Sequence, residues 1–240
     1  MEPRISNLKV KIFADGADLQ GMFEMASKPY ISGLTTNPTL MRKADVKDYE
    51  LFARKVLESI DSKPISFEVF SDEIEEMKTQ GKKIASWGNN VFVKIPITNT
   101  RGESTKSALA YLTDNGIKVN VTALMTTKQI EDIVDCLNPD TPSYVSIFAG
   151  RIADTGRDPI PVIRESLEIL SKNLNSELIW ASPRELLNIF QANEVGCHII
   201  TATNEILKKI ELVDKDLLGY SLETVEMFYN DARASGYKIT

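Results

Sequence analysis

Val91-Phe92-Val93-Lys94-Ile95-Pro96-Ile97 is apolar on both faces and carries one lysine at its centre. A strand with one wet face alternates apolar and polar residues, whereas a run like this suits a parallel strand covered by helices. Similar short β-rich runs recur on either side: Val10–Ala14, Ile31–Thr35, Ile65–Phe70, Lys118–Ala123, Tyr144–Ala149, Glu177–Ala181 and His198–Thr201. Between them, Asp48–Ile60, Asp72–Trp87 and Ile160–Leu174 space apolar residues at steps of three and four. That spacing marks amphipathic crossover helices. Ser71-Asp72 and Asp158-Pro159 offer caps or a first-turn proline for two of them. Strand and helix alternating about eight times in 240 residues predict an α/β fold, a compact (β/α)8 TIM barrel. A doubly wound open sheet is the alternative. It is weakened because no G-x-G-x-x-G follows the first strand and no Walker loop occurs.

No low-complexity linker interrupts the chain, so residues 1–240 are expected to form a single domain. Residues 220–235 carry Leu222, Val225, Phe228 and Tyr229 among alternating charges. They are expected to form an additional C-terminal helix, packed on the barrel or on another subunit.

Composition narrows the function. With 28 Lys+Arg against 34 Asp+Glu the net charge is -6, and no basic run is available to neutralise phosphates. Nucleic acid is therefore not an expected partner. No apolar run reaches the ~18–20 residues needed to cross a bilayer, and the N-terminus lacks an apolar signal core. Cys136 and Cys197 are too few for a disulfide framework in a chain of this length. A cytoplasmic protein with reduced thiols, not bound to membrane, is the expectation.

In a barrel, chemistry gathers where strands end and βα loops begin. Polar residues at those places are Asp15, Thr35-Thr36-Asn37, Glu68, Lys94, Asn120, Thr122, Ser146, Ser182 and Arg184. Lys94 is the most informative. Lysine is almost never fully buried without a partner or a task. Taken out of water, an amine is more easily held neutral and nucleophilic. Glu68, also in mid-strand, is either a simple ion-pair partner of Lys94 or a buried base beside it. Asp15 is either a turn residue or a general base at the barrel mouth. Thr35-Thr36-Asn37-Pro38 reads as a turn plus helix cap, which accounts for Asn37 better than for the two threonines. Ser182-Pro183-Arg184-Glu185 reads as a capping box, with Ser182 at the N-cap and Glu185 three residues on. A helix start after the seventh strand is also a common phosphate site. Arg184 in a first helical turn opposes the helix dipole unless an anion lies there, and Arg151 is a second cation on the same face. His198 reads as a packed or hydrogen-bonded core residue, and no metal-ligand spacing appears.

Five segments, in order, resemble the transaldolases and their relatives the fructose-6-phosphate aldolases: Gly33–Pro38, Val91–Pro96, Asn120–Ala123, Ser146–Ile152 and Ala181–Arg184. The resemblance spans nearly the whole chain and implies a cofactor-free class I aldolase on a (β/α)8 barrel. It implies that Lys94 forms a Schiff base with a ketose phosphate. Asp15 would be the acid/base at the C4 hydroxyl, and Glu68 and Thr122 would hold a proton-shuttling water. Asn37, Asn120 and Ser146 would bind the dihydroxyacetone part and Arg151, Ser182 and Arg184 the phosphate, with Thr36 among the substrate-binding residues. Glu68 and Phe148 stand where fructose-6-phosphate aldolases show Gln and Tyr, so transfer to an aldose phosphate is favoured over free aldol cleavage. Sugar phosphates are the implied partners. The small transaldolases it resembles often assemble into rings, so a homo-oligomer is expected. A transaldolase for 6-deoxy-6-sulfofructose, a free aldolase, and a non-catalytic sugar-phosphate binder are the alternatives.

Overall fold

A computed structural model describes residues 4–239. Its eight strands are β1 Lys11–Asp15, β2 Ile31–Thr35, β3 Ile65–Glu68, β4 Val91–Pro96, β5 Val119–Leu124, β6 Ser143–Ile147, β7 Ser176–Trp180 and β8 Ile199–Thr203. They close into one barrel in chain order, and every pairing is parallel, β8 with β1 included. The (β/α)8 barrel expected from the sequence is the observed fold.

Side chains two apart on a strand face the same way, so each strand stacks its inward residues in layers. Phe13, Phe92, Tyr144, Ile179 and Ile199 form one buried cluster, with Phe92 stacked on Tyr144 at 4.0 Å and Phe13 edge-on to Tyr144 at 5.7 Å. Two residues further on, the same faces carry Asp15, Lys94, Ser146, Ala181 and Thr201. The interior thus has an aromatic floor with a mostly polar layer above it, at the strands' C-terminal ends. The alternate residues of the strands face outward into the helix layer, where Ile95, Val121, Val145 and Leu178 are fully buried.

The helical readings hold with trimmed ends. Asp48–Ile60 is helical over Tyr49–Ser59, Asp72–Trp87 over Ile74–Ala85, and Ile160–Leu174 over Ile160–Leu170. Leu174 lies beyond the last of these and is almost wholly exposed. Ser71-Asp72 does not cap the Ile74–Ala85 helix: Glu73 sits at the N-cap with no side-chain bond. Asp72 instead accepts from Thr100 and Arg101 in the next loop. Asp158 does accept the Ile160 N–H at 2.9 Å.

The capping box at Ser182 does not form. The helix after β7 begins only at Leu187, and Ser182 has φ +61°. The chain makes this left-handed turn before any helix starts. The N-cap is Leu186 and carries no side-chain bond; Asn188, inside the helix, accepts from the backbone N–H of Arg184 and of Glu185 in the loop before it. His198 lies exposed just before β8, where its Nδ1 accepts the Leu178 N–H at 2.9 Å. It is hydrogen-bonded as expected, but it is no core residue.

The C-terminal helix runs Leu217–Ala234 and has no buried residue. Leu217, Leu218, Leu222, Val225 and Phe228 are all exposed. No helix among the described residues is long and apolar enough to cross a membrane.

β1 and β2 meet closely because Gly33 has no side chain. A Cβ there would lie 2.5 Å from the Phe13 ring. Gly33→Ala must displace that ring from the floor cluster. We expect a loss of about 1–3 kcal/mol, the range for overpacking a core, read as a lower midpoint in urea at unchanged slope.

Candidate active site

Lys94 sits in the polar layer with its Nζ 3.2 Å from Glu68 Oε2, and the two side chains are only 8% and 16% exposed. The same Nζ donates to the Thr36 carbonyl at 2.8 Å. The barrel register explains the meeting: Glu68 on β3, Lys94 on β4 and Asn120 on β5 are successive cross-strand partners. Ser146 Oγ donates to Asn120 Oδ1 at 2.8 Å, and Asn120 Nδ2 donates to Ser66 Oγ at 3.0 Å. The Asn120 amide and the Ser146 hydroxyl therefore have fixed orientations.

On the other side, Asp15 ends β1. Its two oxygens accept from Thr35 Oγ1 at 2.9 Å and Asn37 Nδ2 at 3.2 Å. The Thr35 hydroxyl hydrogen is thereby committed, so Thr201 Oγ1, which also meets Thr35 Oγ1, is the donor in that pair. Asn37 has two tasks. Its Oδ1 caps the helix Pro38–Lys43 through Leu40 N–H, which turns its amide NH2 toward Asp15. Burial pushes the Asp15 carboxyl above its usual value; the Lys94 charge and then the Thr35 and Asn37 hydrogen bonds oppose the rise.

Thr122 follows Pro96 across the β4–β5 ladder, and the next residue, Ala123, has φ +66° where the β5–β6 register shifts. This irregularity breaks the plain alternation of β5. Thr122 Oγ1 is buried and has no hydrogen-bond partner among the described residues. A hydroxyl in that state has bonding capacity left for a ligand or a water in the pocket.

The cationic end lies across the mouth. Arg184 gives Nε and a terminal NH2 to the two oxygens of Asp154 and its other terminal nitrogen to Ser182 Oγ at 3.0 Å. Those bonds hold the Asp154 carboxyl below its usual range. Arg151 lies over the Phe148 ring at 5.9 Å. Residue 150 allows this convergence. A Cβ on Gly150 would fall 1.6 Å from the Ser182 carbonyl oxygen, so only glycine lets the two loops touch.

Together these groups surround a cavity of about 440 Å³ at the C-terminal end of the barrel. Every site residue expected from the sequence lines it except Thr36. The Thr36 hydroxyl turns away and donates to the Ser66 carbonyl at 2.9 Å, while its own carbonyl serves Lys94. The sequence reading missed Thr201 and Asp154, which orient Thr35 and Arg184. It noted Thr35 without a role. Only the misfit of two threonines in a turn hinted at it.

Thr35→Val removes a donor that favours the Asp15 carboxylate. The Asp15 midpoint, followed by carbon-13 NMR of its carboxyl, should start above the ordinary value of about 3.9 and rise further in the variant. A fall would contradict the arrangement.

Residues 12–238 match the family model for transaldolase and fructose-6-phosphate aldolase. A probable transaldolase of Thermoanaerobacter sp. (strain X514) is 32% identical over 231 residues, covering 96% of this chain and 100% of its own length. The probable transaldolase 2 of Listeria monocytogenes serovar 1/2a is 32% identical over 215 residues, covering 88% and 94% respectively. Among solved structures, a 2,3-dimethylmalate lyase superposes with a TM-score of 0.53 at 12% identity, covering 98% of this chain and 87% of its own. That likeness speaks for the barrel alone. The chain belongs to the transaldolase/fructose-6-phosphate aldolase family.

Proposed function

We propose that this protein is a transaldolase that moves a dihydroxyacetone unit between sugar phosphates through a Schiff base on Lys94. The carrying observation is the lysine itself, buried at the base of the cavity between the Glu68 carboxylate and the Thr36 carbonyl.

The Lys94 amine attacks the C2 carbonyl of a ketose phosphate. The resulting carbinolamine loses water, carrying away the C2 oxygen, and leaves a protonated imine. Glu68 and the unpartnered Thr122 hydroxyl hold the water that passes protons in this step. Asp15 then removes the C4 hydroxyl proton, the C3–C4 bond breaks, and its electron pair flows to the imine nitrogen. An aldose phosphate leaves and a three-carbon enamine stays on Lys94. A second aldose phosphate accepts C3 at its carbonyl carbon, Asp15 returns the proton, and hydrolysis frees the lysine. Asn37, Asn120 and Ser146 suit the hydroxyls of the three-carbon part, being polar and fixed by their neighbours. Arg151, Ser182 and Arg184 suit the terminal anion. The raised Asp15 carboxyl suits a group that both takes and returns a proton. Self-assembly belongs to the same reading, since the helix Leu217–Ala234 leaves its apolar residues in water. So does a reducing cytoplasmic setting, in which Cys136 and Cys197 stay free.

Borohydride trapping with fructose 6-phosphate, followed by peptide mass spectrometry, is the direct test. A reduced three-carbon adduct on Lys94, absent from Lys94→Met, is expected. No adduct on a folded protein would remove the reading. If dihydroxyacetone is released without an acceptor aldose, the enzyme is an aldolase and not a transferase.

Arg184→Ala should weaken binding of phosphorylated substrates by about 1.5–3 kcal/mol, the scale of one charge-assisted contact. Trapping of dihydroxyacetone, which lacks the anion, should be unchanged. Equal losses for both would make Arg184 purely structural.

A further inference from the structure

The β2–β3 ladder stops one step short of the reaction centre. Leu34 N–H donates to the Pro64 carbonyl at 2.9 Å, and Thr36 N–H to the Ser66 carbonyl at 3.2 Å. The next donor in that alternation would be residue 38, opposite the Glu68 carbonyl. Residue 38 is proline and has no N–H. The acceptor that the ladder would offer the Glu68 N–H is the Thr36 carbonyl, and that oxygen takes Lys94 Nζ instead. Glu68 is thus left with both backbone groups unpaired on its β2 side.

One hydroxyl fills both places. Tyr49 Oη accepts the Glu68 N–H at 2.7 Å and donates to the Glu68 carbonyl at 3.0 Å. Its ring is held from three directions, by Phe67 at 6.2 Å, Phe70 at 4.6 Å and Trp87 at 5.3 Å between centroids. Its backbone begins the helix Tyr49–Ser59, whose N-cap is Asp48. Tyr49 is therefore fixed at both ends, and it fastens the last residue of β3 where the sheet no longer does.

We propose that Tyr49 is a positioning residue for Glu68: its hydroxyl replaces the missing β2 partners and holds the Glu68 backbone so that the carboxylate meets Lys94. The inference rests on the Schiff-base reading of Lys94 given above. Freeing the Thr36 carbonyl for the lysine and closing the gap with Tyr49 are two halves of one arrangement. In Tyr49→Phe the ring packing survives, the Glu68 backbone loses both partners, and the carboxylate drifts from the lysine nitrogen.

The test is the rate of borohydride-trappable adduct formation with dihydroxyacetone, measured against pH, in wild type, Y49F, E68A and the double variant. Y49F should slow adduct formation by about tenfold, the scale of a sub-ångström misplacement, and should displace the pH profile. In the E68A background the same change should cost less than about twofold, because a residue acting through the Glu68 side chain has nothing left to position. Equal slowing by Y49F in both backgrounds, or no slowing, would overturn the assignment. If Y49F does not fold, 4-fluorophenylalanine at position 49 fills nearly the same space without a hydroxyl; an unchanged rate and profile there would overturn it equally. Absence of any adduct in wild type would remove the Schiff-base reading and this inference with it, whereas a normal wild-type adduct with an unaffected Y49F removes only the inference.

Discussion

The structure turns on a lysine nitrogen taken out of water. Burying such a group is tolerable only where partners replace its hydration, and removing one partner of a buried pair typically costs about 3–5 kcal/mol. The barrel supplies those partners from two neighbouring strands, the Glu68 carboxylate from β3 and the Thr36 carbonyl from the end of β2. Much of the surrounding layer follows from that need. β2 gives up a ladder carbonyl, Pro38 starts a helix where a further ladder donor would stand, and Tyr49 closes the resulting seam. The buried aromatic floor lies one layer beneath the lysine.

The two ends of the cavity are built on different principles. Around Lys94 and Asp15 the side chains come from strand residues whose register is fixed by ladder bonds, so their mutual geometry is inherited from the sheet. The cationic end is made of loop segments that meet by backbone contact, with Ser182 in a left-handed turn and Gly150 against its carbonyl. Arg184 is steadied there by Asp154, a carboxylate on the neighbouring loop helix. A rigid centre with a loop-built rim is the usual division in barrels, where chemistry is kept constant and recognition varies.

The barrel was legible because eight apolar runs each carried their own signal, and the closed register adds little that periodicity had not implied. Lys94 and Glu68 were legible as misfits in apolar strands. Ser182 was misread because Ser-Pro-Arg-Glu satisfies the local pattern of a capping box. The chain uses the serine instead in a turn set by contact with Gly150, which is distant in sequence. Thr36 was misread because its neighbours Thr35 and Asn37 both face the cavity, and alternation alone does not say where a strand stops alternating. Tyr49 carried no signal at all: on its own helix it is one more apolar position, and its hydroxyl acquires meaning only from the gap between β2 and β3.

Asn37 shows how two demands fall on one amide. Asp, Ser and Asn cap helices about equally well, so the helix Pro38–Lys43 by itself is indifferent among them. The neighbour is not indifferent. An aspartate at 37 would set a second carboxylate against Asp15, and a serine would be too short to bridge from Leu40 N–H to the Asp15 oxygen. The alphabet open to the helix and the alphabet open to the cavity overlap in a single letter, so drift that is silent for folding is closed at this position.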